Sequence, residues 1–71
     1  MTREEHLQWC KDRALQYVQD RKLSEAVASM MSDLNKHPET AISNPFLTQL
    51  GMMEVMNGNT AGVRRWIEGF N

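Results

Sequence analysis

The chain has almost nothing with which to brace itself covalently: one cysteine, Cys10, in 71 residues. An intrachain disulfide is excluded, and a lone thiol suits a reducing compartment. Val and Ile are few and scattered, so the signal for strands is weak. No apolar run approaches the ~20 residues that a membrane-spanning helix needs. The charged start Met1-Thr2-Arg3-Glu4-Glu5 is not followed by the apolar stretch of a secretory signal. Positive charge is not in excess either. Eight Lys and Arg face nine Asp and Glu, for a formal charge of −1. Such a balance offers little to displace counterions from a nucleic acid, which disfavours that class of partner except at a local basic patch. These absences point to a protein of the cytoplasm with no membrane partner.

What remains is rich in Leu, Met, Ala, Glu, Gln, Lys and Arg, all good helix formers. The expectation is an all-α domain of four short helices spanning residues 1–71. Thr2-Arg3-Glu4-Glu5 reads as a capping box opening a first helix over about Arg3 to Gln19. At 100° per residue, Leu7, Cys10, Ala14, Leu15, Tyr17 and Val18 gather on one broad face. Asp20-Arg21-Lys22 breaks the pattern. A second helix is expected over about Leu23 to Lys36, with Leu23, Ala26, Val27, Met30 and Leu34 on its apolar stripe and Asp33 outside it. Pro38 stops it, since the residue before a proline avoids the α conformation.

Residues 38–43 read as a linker between a first hairpin, about 3–37, and a second, about 44–71. Asn44 and Pro45 supply a cap and a first helical position for the third helix. Phe46, Leu47, Leu50, Met52, Met53, Val55 and Met56 cover nearly its whole circumference, which predicts that this helix is the most buried one. Gly58 fits the left-handed position that ends it. Asn59-Thr60 opens a fourth helix. Its Val63, Trp66, Ile67 and Phe70 fall at i, i+3, i+4 and i+7.

The two halves echo each other. Tyr17, Ala26, Met30 and Pro38 in the first half resemble the aromatic, small, large apolar and closing proline positions of one tetratricopeptide repeat. Leu50-Gly51, Gly58-Asn59 and Val63 resemble the same repeat in the second half, offset by 37 residues. Arg21 stands where that pattern has its turn glycine. The resemblance implies two antiparallel, TPR-like helical hairpins that meet at Ala26 and Val63. The run from Ala28 to Thr40, with Gly62 to Phe70, is also similar to small proteins of tailed bacteriophages. That similarity implies a viral protein in a host bacterial cytoplasm that engages a host or viral protein.

Chemistry is sparse. Gly-x-Ser-x-Gly, P-loop and dinucleotide fingerprints are all missing, and no residue set calls for a cofactor. His6 and Cys10, four apart on one helix, have His37 as the only other histidine and no second cysteine. That is too few for a four-ligand structural zinc site. No metal and no catalytic residue are therefore expected. Trp9 is the anomaly, about 150° from the centre of its helix's apolar stripe, with Arg13 on the same flank. Trp and Arg are favoured anchors of protein interfaces, although another helix of the same domain would serve equally to cover Trp9. Five of the methionines, Met30, Met31, Met52, Met53 and Met56, fall at core spacing, with Met31 and Met52 at the exposed edge.

The first expectation is thus a non-enzymatic protein-interaction module. It would use Trp9, Arg13, Met31 and Met52 toward a protein partner, and it would be open to forming a homodimer. The alternative is a small nucleic-acid-binding or regulatory protein using a patch of Arg64, Arg65 and Trp66.

Overall fold

The computed structural model describes residues 2–71 as four helices: α1 (Arg3–Gln19), α2 (Leu23–Leu34), α3 (Pro45–Met56) and α4 (Thr60–Glu68). Among the described residues there is no strand. The all-α, four-helix expectation holds.

The helix starts follow from local chemistry. At the head of α1, the Thr2 hydroxyl accepts the Glu5 amide at 3.1 Å, and the Glu5 carboxylate accepts the Thr2 amide at 2.9 Å. Asn44 caps α3 by accepting the Phe46 amide, and Asn59 caps α4 by accepting the Gly62 amide. Each satisfies a donor that the first helical turn leaves free. The second helix ends at Leu34, two residues short of the sequence expectation. Asn35 turns its side chain to accept the Ile42 amide at 3.0 Å, and Thr40 donates to the Leu34 carbonyl at 2.7 Å. These bonds draw the chain out of the helical path before Pro38.

The same turn ends α1 and α3. After α1, the Arg21 amide donates to Val18 and the Lys22 amide to Tyr17. After α3, the Gly58 amide donates to Val55 and the Asn59 amide to Glu54. Both are Schellman pairings around a left-handed residue. That residue is Arg21 (φ 60°) in the first case and Gly58 (φ 61°) in the second. They lie 37 residues apart, the offset at which the halves of the sequence echo each other.

The core is built by three helices. Leu7, Cys10, Ala14 and Val18 of α1 meet Ala26, Val27, Met30 and Leu34 of α2, and Val63 and Ile67 of α4 close over them. Burial of these ten side chains is the main favourable term. The fourth helix packs on α1, α2 and α3, whereas α3 touches only α2 and α4 and has no contact with α1.

The sequence expectation for α3 is therefore overturned: it is the least buried helix, not the most. Its only buried residue is Gly51. Leu47, Thr48, Glu54 and Val55 are half-buried, and the rest of the helix faces outward. An apolar circumference normally marks a helix enclosed on all sides. A chain this short has no further layer with which to enclose it. The cleaner stripe of α4 takes the place against α1 instead. The methionines follow suit: of the five named above, only Met30 is buried.

Candidate interaction surfaces

Two surfaces stand out, and the larger is the outer face of α3. Met56 is 82% exposed, Phe46 57%, Met53 55%, Met52 39% and Leu50 36%. At 100° per residue these five fall within an arc of roughly 160°, with Gln49 as the only polar residue among them. Phe46, Gln49, Met53 and Met56 follow the alternating three- and four-residue spacing of a helix-packing seam, flanked by Leu50 and Met52. The face is also uncharged. Glu54 is the one ionisable residue of α3; it lies outside this arc, and its carboxylate is held by the Asn59 side-chain amide at 2.7 Å.

The opposite face of α3 is fixed by one close contact. Gly51 sits under the Trp66 indole, so near that a Cβ built on it would lie 2.8 Å from ring carbon Cε2. The indole N–H donates to the Leu47 carbonyl at 2.9 Å, and the Phe70 ring meets the indole edge-on, with centroids 5.0 Å apart. Leu47, Trp66 and Phe70 also line an open notch of about 430 Å³ with Arg65 at its rim.

The second surface surrounds Trp9. The indole is 36% exposed, and α3, which has no contact with α1, does not cover it. It stacks on His6 (centroids 5.8 Å apart), while the Arg13 guanidinium lies 4.9 Å and the Lys36 ammonium 5.6 Å from its centre. Cations over an indole face are held by the ring's quadrupole. Both cations are in turn held by Asp33: Arg13 Nε is 2.8 Å and Lys36 Nζ 3.0 Å from its carboxylate, and Ser29 adds a bond at 3.3 Å. Burial opposes ionisation of Asp33. Hydrogen bonds from Lys36 and Arg13, with their charges, outweigh it and hold the carboxyl below its ordinary value.

The sequence pattern sets Asp33 outside the α2 stripe, whereas the structure buries it to 2% exposure. The available signal was a pair of opposite charges, Arg13 and Asp33, each flanking a stripe on consecutive helices. Arg13, proposed as an interface anchor, is committed to this internal ion pair and to Trp9.

The other sequence candidates are dispersed. Met31 is half-buried, and its sulfur lies 3.5 Å from the Thr48 hydroxyl of α3. Met52 belongs to the outer face of α3. Arg64 and Arg65 are both exposed but line different depressions, Arg64 beside Asp12, Gln16 and Glu68, and Arg65 beside Leu47 and Phe70. Trp66 is half-buried, donates its N–H to Leu47 and shares its notch with Arg65, while Arg64 lines the other depression.

His6 and Cys10 are adjacent, His6 Nε2 lying 3.5 Å from Sγ, and His37 is stacked nearby, with ring centroids 5.4 Å apart. Nε2 also lies 2.9 Å from the Asp33 carbonyl. A carbonyl only accepts, so Nε2 carries the hydrogen and keeps no lone pair for a metal. Burial, and the nearby Asp33 charge, push the Cys10 thiol pKa up, so the thiol stays protonated. Among the described residues no group of three or more His, Cys, Asp or Glu side chains is placed to hold a metal ion. None of the described helices is long and apolar enough to cross a membrane.

No family model, no curated protein and no solved structure matches the chain.

Proposed function

We propose that this chain is a small non-enzymatic protein-interaction module whose binding surface is the outer face of α3. The observation that carries this reading is the five large apolar side chains, Phe46, Leu50, Met52, Met53 and Met56, exposed on one uncharged arc. Their exposed area is roughly 500 Å², the scale of the largest, often functional, patch on a monomeric protein. Methionines suit such a surface because they repack around a partner at little cost.

In this reading the four helices are two antiparallel, TPR-like hairpins related by the 37-residue offset. The paired left-handed turns at Arg21 and Gly58, and the buried joints at Ala26 and Val63, support that relation. The partner in this reading is a protein, and the resemblance to small phage proteins is what supports a host or viral one in a bacterial cytoplasm. The Trp9 edge is secondary, because Arg13 and Lys36 already occupy the indole face.

The test is capture from bacterial lysate with the wild-type chain, Met53→Glu and Trp9→Ala as baits. Capture that is lost with Met53→Glu and kept with Trp9→Ala supports the reading. Identical capture by all three baits overturns it. Binding of a DNA or RNA oligonucleotide that weakens steeply with added salt would instead favour the alternative through Arg64 and Arg65.

A further inference from the structure

We infer that the occupant of the outer α3 face is a second copy of this chain, paired α3 to α3 across a two-fold axis. The inference rests on the reading above and names the partner.

Three observations carry it. The first is spacing. Phe46, Gln49, Met53 and Met56, with Leu50 and Met52 beside them, form a seam that fits another helix rather than a strand or an extended peptide. The second is charge. The face carries no ionised group, and the one carboxylate of α3, Glu54, lies outside its arc and is bonded to Asn59. A partner selected by charge has nothing to read here, while a second copy meets no repulsion. The third is area. Two such faces hold roughly 1,000 Å² of apolar surface between them, about the least that a specific interface needs to bury. An area at that limit fits a weak, reversible dimer rather than an obligate one.

The geometry suits an antiparallel pair. A two-fold axis crossing the middle of α3 sets Phe46 of one copy against Met56 of the other, at both ends of the seam. Sulfur and aromatic ring attract in such pairs. Gln49 then lies against Met53 of the other copy in the central layer of the seam, a polar residue that fixes the register of the pairing at a cost in stability. The pairing also completes the half-docked helix: α3 is held from inside only by α2 and α4, and the second copy covers what they leave open.

The experiment is sedimentation equilibrium of the purified chain from about 1 µM to 1 mM, with Phe46→Glu and Met53→Glu alongside. The expected result is a monomer–dimer equilibrium for the wild type, weakened at least tenfold in each variant, with helical circular dichroism retained. Hydrogen exchange on the wild type guards against variants that fail to fold. Protection of the α3 amides should rise with protein concentration, while that of the α1 amides does not. A chain that stays monomeric at 1 mM overturns the dimer, and so does a dimer untouched by both substitutions. A monomeric chain that still captures protein through Met53 overturns only the dimer. A monomer without such capture overturns the interaction reading as well.

Discussion

Asp33 shows how one side chain ties two helices and an aromatic edge together. Its carboxylate takes Arg13 from α1, Lys36 from just beyond α2, and Ser29 within α2. Asp33→Asn should lower stability by about 1–2 kcal/mol, because charge-assisted bonds are lost while both cations remain near water. Chemical denaturation at pH 7 measures this. The pH dependence has a definite sign. The folded pKa lies below the ordinary 3.8, so the ion pair's contribution is present at neutral pH. It is lost as pH falls through the folded value. The wild type should therefore destabilise more steeply than Asp33→Asn on acidification below about pH 4.

Arg21 makes the converse point, since its left-handed φ strains a side chain that glycine would not carry. Arg21→Gly should raise stability by about 0.5–1 kcal/mol. Gly58→Ala at the equivalent turn should lower it by about 1 kcal/mol. A shift of melting temperature in opposite directions for the two substitutions is the expected outcome. A turn at Arg21 was legible from the sequence, in the polar break Asp20-Arg21-Lys22 between two apolar-striped helices. Asp33 was not, because a helical wheel ranks positions by their own helix and is blind to a cation arriving from the next one.

Among the elements, α3 lost the buried role that its sequence suggested, while α4 buried the stripe that its sequence displayed. The start of α3 at Asn44-Pro45, its end at Gly58 and the cap of α4 at Asn59 were all readable, because each depends on neighbours within a few residues. Burial was not readable, because it depends on which helix fits better against α1 and α2. A narrow stripe proved a better guide than a wide one: Val63 and Ile67 are fully buried, while α3 places no side chain fully in the core.

The grip on α3 is concentrated where Gly51 lies against Trp66. Gly51→Ala improves helix propensity by up to about 1 kcal/mol. It also drives a methyl into the indole, and overpacking of this kind costs about 1–3 kcal/mol. The expected net effect is a loss of stability with a red shift of tryptophan emission as Trp66 is displaced. If Gly51→Ala is instead more stable with unchanged emission, the contact is not the one that positions α3.

At the scale of the whole molecule, the thinness of the core governs behaviour. Ten buried apolar side chains from three helices hold the chain together, with no disulfide to help. Self-association would then add stability by mass action. The wild-type melting temperature should rise by several degrees between about 5 µM and 500 µM. That of Met53→Glu should not depend on concentration. Calorimetry at both concentrations measures this independently of sedimentation.

The missing contact between α1 and α3 also matters in polymer terms. Because the core closes on α4, residues 35–59 are a tether of about 25 residues between α2 and α4, with a helix suspended inside it. Closing a loop of that length costs roughly 3 kcal/mol of chain entropy. Whatever holds α3 still shortens the loose part of the tether and makes the return of α4 to α1 easier. A ligand on the outer surface, remote from Val63 and Ile67, would thus act on the seal of the core through the length of free chain rather than through any contact.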